Sequence, residues 1–473
     1  MHSPCFVSPS PAVLRAINRD REKLGPALMD LKASPAAFSQ LLGLPRPRLG
    51  RAGFNDGLFF PPTESPLADN ALKSLSSLKI DKGGPSPLAL APRKGATGIR
   101  NVLVLLVDFP DKPGTQSVKH FEQLLFGPGS PNAPSLRSYY QEASHGAIDI
   151  LGSVLGWLRL PHNLSFYTDG ESATGDNYPH NGPGLADHAL SLAVAEGLDF
   201  KQFDQNGDGH LDGLIIVHAG SGAETEPDHS LRRDLIWSHK WVVPNAHTLN
   251  GVTVWAYTLQ PEDGRAGVFC HEFGHFLGLP DLYDTSGRSS GVGAWCLMGA
   301  GSWGGGGNCP SNLSAWSRIQ LGWVSPTLLS GPRRKITIKP PCDKSYQVIK
   351  LAMDGCPATE YFLLESRQRS GLDHSLPGEG MLIWHIDDAR SSNDHPPTYW
   401  VGVKQADGLN SLEYGQDQGE EGDPFPGSRH VVQFNDGNPP YARSHLGRPS
   451  KVSISKIAFD STTGIATATV TCP

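Results

Sequence analysis

The chain has 473 residues, more than one hydrophobic core usually organises, so two or three structural units are expected. Its 40 Lys and Arg against 47 Asp and Glu leave a formal charge of −7, which provides no electrostatic footprint for nucleic acid. The 54 Gly and 40 Pro predict many turns and β-rich surroundings rather than a helical bundle, and the longest aliphatic run, Val102 to Val107, is far short of the ~20 residues that span a bilayer.

In chain order, residues 1–97 read as an appendage. A modest helical pattern from Pro11 to Leu42 (Val13, Leu14, Ile17, Leu28, Leu31) gives way to a Gly-, Ser- and Pro-rich stretch to about Gly95. Two readings stand equal: a pro-segment laid over a cleft, or a linker. Met1 to Pro9 has neither a basic nor an apolar leader region, so no signal peptide is visible. The seven cysteines are odd in number, so at least one thiol is unpaired within the chain.

At Asn101 to Phe109 the texture changes to a fully buried strand, which opens a unit over 98–325. A helix over Leu136 to Ala143, a strand over Ala147 to Leu160 and a helix over Gly184 to Glu196 follow, making a mixed α/β arrangement. Asp204, Asn206, Asp208 and Asp212 then offer side-chain oxygens at positions 1, 3, 5 and 9 of a loop with Gly209 at position 6, the pattern that wraps chain around calcium. Ile215 stands where an EF-hand has its glutamate, so a shorter calcium loop, or an Asp/Asn/Gly turn without an ion, is the choice left open. Strands Leu214 to Val217 and Val252 to Tyr257 follow, and His218 and His239 are read as structural.

The chemistry is expected at Cys270 to Asp281. On a helix, residues four apart share a face, so His271 and His275 can aim ring nitrogens at one zinc ion. Glu272, one position on, can reach a water at that ion and act as general base. Gly278 lets the helix end in a left-handed cap, Pro280 forbids its resumption, and the returning chain brings Asp281 as third ligand. Met298, in a glycine-lined turn, is read as a floor beneath the histidines. A helix over Ser311 to Leu321 closes the unit near Pro326.

Residues 326–473 read as all-β and sandwich-like, from the short runs Lys335 to Lys339, Tyr346 to Leu351, Tyr361 to Glu365, Met381 to Ile386 and Ala466 to Thr471. Asp387, Asp388, Asp407 and Asp423 are taken as solvated loop carboxylates.

His271 to Asp284, the turn Cys296 to Trp303 and Leu321 to Val324 together resemble the immune inhibitor A family of secreted metalloproteases, a metzincin-like group; the likeness runs from about 99 to 470. The resemblance implies an α/β (α+β) zinc protease unit followed by a β-rich domain, with a pro-segment and bound calcium. Asp281 stands where metzincins more often have a third histidine. The function expected is a monomeric, extracellular zinc endopeptidase acting on protein or peptide substrates. The alternative is a zinc- and calcium-stabilised surface-binding protein that no longer turns over, against which an intact Glu272 argues. For latency, Asp56 is preferred to Cys5 as the residue that occupies the open zinc position.

Overall fold

The computed structural model describes residues 4–24, 44–45 and 96–473, so the Gly-rich stretch and Asp56 lie outside the described residues. Its first layer is a six-stranded mixed sheet in the order β1-β5-β6-β4-β2-β3. The strands are β1 (Cys5–Phe6), β2 (Gly98–Asp108), β3 (Ile148–Arg159), β4 (Leu214–His218), β5 (His239–Leu249) and β6 (Val252–Pro261). Val102 to Val107 are fully buried in β2, which lies parallel between β3 and β4, as its unbroken apolar run requires. β4 pairs parallel with β6, while β5 pairs antiparallel with β6 and with β1.

Helices Val118–Phe126, Leu136–Ala143 and Gly182–Ala195 pack against this sheet. Leu136–Ala143 starts where expected because Ser135 and Ser138 form a reciprocal cap on its first turn. The helix expected from Ser311 is shorter, Ala315–Gln320, with Ser314 as its N-cap. Among the described residues no helix is long and apolar enough to cross a membrane.

The rest of the chain forms two further sheets. One has the order β12-β11-β10-β9-β7, built from β7 (Thr327–Leu329), β9 (Ile349–Ala352), β10 (Glu360–Arg367), β11 (Gly380–Asp387) and β12 (Val401–Val403). The other has the order β13-β14-β15-β8, from β8 (Gly331–Ile338), β13 (Gln433–Phe434), β14 (Ser453–Asp460) and β15 (Ile465–Cys472). All eight residues of β10 are buried, and the period-two alternation explains how. Phe362, Leu364, Met381 and Ile383 join Ile336, Ile338, Phe434 and Ile454 in one apolar cluster. Tyr361, Leu363, Leu382, Trp384 and Ile386 face the other way, into the core that holds β2 and β4. The five-stranded sheet is therefore a middle layer, covered on both faces, and the core runs across position 326.

Arg367, at the end of β10, is fully buried in this seam. It pairs with Asp373, lies 3.3 Å from Glu365 Oε1 and donates to the Trp295 carbonyl at 2.9 Å. Glu365 also accepts from the Trp384 indole and the Tyr346 hydroxyl, both at 2.7 Å. Removing the cation leaves two buried carboxylates uncompensated, which costs far more than the pair contributes as a net interaction. We expect Arg367→Ala to lower the urea-unfolding free energy by ~3–5 kcal/mol. A loss below ~1 kcal/mol, the level of an exposed pair, would show that the network is not what joins the layers.

Candidate metal centre

The helix Ala266–Phe276 is buried over all 11 residues. Its two inner glycines are points of close approach rather than flexible joints. A Cβ on Gly267 would lie 1.9 Å from the Ser302 carbonyl oxygen, and one on Gly274 would lie 2.6 Å from Met298 Sδ. The helix thus rests directly on the 296–307 turns, with Met298 beneath the histidines. It ends as the sequence requires: Gly278 has φ +96°, its N–H donates to the His275 carbonyl, and the Leu279 N–H donates to Gly274. After Pro280 the chain returns and brings Asp281 to the two imidazoles.

Three donor atoms converge there. His271 Nε2 and His275 Nε2 are 3.2 Å apart, and Asp281 Oδ1 lies 3.1 Å from the first and 3.4 Å from the second. Ligands about 2.0–2.1 Å from a tetrahedral zinc are separated by about 3.3–3.4 Å, so this triangle has the size that such an ion requires. The proton positions point the same way. His271 Nδ1 is 2.9 Å from the Leu297 carbonyl and His275 Nδ1 is 2.7 Å from the Leu279 carbonyl. A carbonyl can only accept, so both Nδ1 atoms carry the ring proton, and both Nε2 atoms present lone pairs to each other. A cation between the two Nε2 atoms would satisfy both lone pairs. Burial works against ionised Asp281, but positive charge on His275 and His271 in contact with it holds its carboxyl at about 2; a cation between the three atoms would supply that charge with both rings neutral.

Glu272 is fully buried beside this triangle, and neither of its carboxylate oxygens has a hydrogen-bond partner. The Val7 N–H faces it but donates to the Ser238 carbonyl at 3.2 Å. Burial, with Asp281 and Glu224 adding to it, drives the Glu272 carboxyl well above its ordinary range. An orphaned buried carboxyl next to three metal donors is poised to take a proton.

β1 lies across the same centre. Cys5 and Phe6 pair antiparallel with Lys240 and His239 at the edge of β5. The Phe6 carbonyl sits 3.0 Å from His271 Nε2 and accepts from the Tyr283 hydroxyl at 2.9 Å, while the Phe6 N–H points at Asp281 Oδ2, 3.4 Å away. Cys5 brings its sulfur within 4.8 Å of His275 and Asp281 donor atoms. Trp237 and Trp303 donate their indole N–H groups to the Val7 and Ser8 carbonyls. Of the two latency candidates, Cys5 is the one at the centre; Asp56 lies outside the described residues.

His239 bridges the Trp237 carbonyl and the Tyr257 hydroxyl, and burial pushes it to about 4, in keeping with a structural role. In the 204–212 loop, Asp204, Asn206 and Asp208 accept from the loop's own N–H groups. Asp212 is turned inward to the Asn101 and Gln205 amides. These carboxylates do not form a gathered set among the described residues, so a calcium assignment there rests on sequence spacing. Sequence reasoning gave no role to Tyr283, whose signal was an aromatic hydroxyl two residues beyond Asp281, nor to the two Leu carbonyls, which carry no side-chain signal.

The profile of the immune inhibitor A peptidase M6 catalytic domain matches residues 89–324. Immune inhibitor A of Bacillus thuringiensis subsp. alesti is 35% identical over 314 residues, covering 56% of this chain and 45% of that protein. The pre-pro-metalloprotease PrtV of Vibrio cholerae serotype O1 (strain M66-2) is 32% identical over 297 residues, covering 52% of this chain and 32% of that protein. The chain thus matches less than half the length of these relatives.

Gly267 offers a test in which two effects have opposite signs. Helix propensity alone favours alanine over glycine by about 1 kcal/mol. The Ser302 carbonyl, 1.9 Å from the added Cβ, is backbone and cannot swing aside. We expect Gly267→Ala to destabilise by ~1–3 kcal/mol and to lower metal retention. A raised melting temperature would show that the helix does not rest on the turn as described.

Proposed function

Because the chain belongs to the immune inhibitor A peptidase M6 family, we propose that it is a zinc-dependent endopeptidase with a metzincin-like catalytic unit over 98–325 and a β-sandwich-like unit over 326–473. The observation that carries this reading is the triangle of His271, His275 and Asp281 donors, 3.1–3.4 Å on a side, with both Nδ1 protons held by carbonyls. Zinc bound there supplies Lewis acidity, making a water acidic near neutral pH and polarising a peptide carbonyl. Glu272 takes the proton of the attacking water and delivers it to the leaving amine. Tyr283 donates to the carbonyl oxygen of the bond being cleaved, as it does to Phe6. The β5 edge takes the substrate as an added antiparallel strand, which fixes an extended peptide by main-chain hydrogen bonds and leaves it free to continue beyond the centre. That geometry favours internal bonds of proteins or peptides.

The same observations support latency. β1 fills the strand position that substrate requires, with Cys5 offering a sulfur donor beside His275 and Asp281. Phe6, Val7, Val13 and Ile17 anchor the segment in a small apolar cluster with Leu44, Ala223, Trp237 and Val268. We read residues 1–97 as the pro-segment of a secreted, monomeric enzyme, and keep calcium at Asp204, Asn206, Asp208 and Asp212 as part of the proposal.

Glu272→Ala is expected to retain zinc, measured by metal analysis, while casein cleavage falls at least ~100-fold. Unchanged cleavage would overturn the mechanism, and Asp281→Ala with undiminished zinc would overturn the ligand set. For latency, a tethered segment competes at an effective concentration of about millimolar, so the intact chain should cleave casein at least ~10-fold more slowly than a chain starting at Thr97. Equal rates would rule latency out.

A further inference from the structure

The stretch from β12 to β13 gathers carboxylates of its own. Asp407, Glu420 and Asp423 each bring an oxygen within 4.8 Å of the others. Asp423, expected to be a solvated loop residue, is instead fully buried. Its Oδ2 accepts from the Trp295 indole at 2.9 Å and from the Glu420 N–H at 3.0 Å. Its Oδ1 is a buried oxygen with no hydrogen-bond partner. The Asp407 and Glu420 carboxyls lie at hydrogen-bonding distance from each other, and Asp417 adds a further negative group nearby. Of the surrounding cations, Arg429 is the one that bears on Glu420. A Cβ on Gly422 would lie 2.5 Å from Asp407 Oδ2, so the backbone itself closes on that carboxylate.

Carboxylates this close repel unless a proton or a cation stands between them. Burial, with Asp417 and Asp407 adding to it, pushes Asp423 up to about 7, so ionising it beside its neighbours is unfavourable and a cation there would offset that cost. A second group, Glu360, His385 and His445, also converges, but Lys404 and Arg390 press positive charge on it and oppose a metal. Among the described residues, no Lys or Arg figures in the main charges that act on Asp423.

We propose that Asp407, Glu420 and Asp423 bind a divalent hard cation, Ca²⁺. The donors are all oxygen, which excludes the nitrogen- and sulfur-rich preference of zinc. Three carboxylates, some bidentate, with water, supply the six to eight oxygens that calcium takes, whereas magnesium seldom uses such a dedicated cage. The site's position gives it a consequence. Trp295 belongs to the turn just before Met298, and the same loop pins that turn through Gln418, whose carbonyl accepts from the Ala294 N–H at 2.7 Å, and Leu412, whose carbonyl accepts from the Ser290 N–H at 2.8 Å. A cation here fastens the 407–423 loop to the wall beneath the histidines.

The test uses the full-length Glu272→Ala protein, stripped with a calcium-selective chelator that spares zinc. Calcium equivalents are counted by equilibrium dialysis, and terbium is titrated separately with excitation of tryptophan. Terbium held by Asp423 sits beside Trp295 and is sensitised by it. Asp407→Asn/Glu420→Gln should lose one calcium equivalent and most of the sensitised emission, whereas Asp204→Asn/Asp208→Asn should keep the emission. Trp295→Phe, which leaves all three carboxylates in place, should lose the emission even if the double variant does not fold. Equal calcium counts in the parent and Asp407→Asn/Glu420→Gln proteins, or full emission in Trp295→Phe, would overturn the proposal.

Discussion

Two imidazole lone pairs, facing each other at 3.2 Å in a fully buried site, are the constraint on which the rest of the centre depends. Left to themselves the rings would turn away, so something must hold them. The holding groups are backbone carbonyls: Leu297, in the turn before Met298, and Leu279, in the cap that ends the helix. The geometry of the three donor atoms is therefore set by how the helix terminates and by what it lies on. Partners of this kind are worth about 10–100-fold in metal affinity, which makes the two turns as much a part of the site as the ligands.

The turn under the histidines is in its own right held from behind. Arg367 reaches its Trp295 carbonyl from β10, and Asp373 accepts from the Asn312 N–H while pairing with Arg367. These contacts come from a sheet with no wet face, so the residues that fix the floor are desolvated and in tight packing. The tail is thus the back wall of the unit that carries the three donor atoms, and an apolar strand such as Tyr361 to Glu365 is explained by two partners rather than one.

The helix, its end and the convergence of His271, His275 and Asp281 were legible because each rests on spacing: i and i+4 for the histidines, one left-handed glycine, one proline, one returning carboxylate. The strands of the first sheet were legible because buried parallel strands read as unbroken apolar runs. What escaped depends on chain brought from far away. Cys5 and Phe6 form a strand too short for any periodicity, made only by the edge of β5. Asp423 reads as a loop acid because nothing local reports that Trp295 will cover it. The double burial of β10 was equally hidden, since an apolar run does not say how many partners it has.

The distances along the chain also order events in time. Phe6 precedes the histidine it touches by 265 residues, whereas Arg367 and Asp423 follow Trp295 by 72 and 128. Synthesis at about 5–20 residues per second places ~6–25 s between the appearance of Trp295 at the ribosome and that of Asp423. Throughout that interval Cys5 and Phe6 have already been made, and the residues that back the Trp295 turn have not. The segment that covers the three donor atoms is therefore made before the layer that backs them.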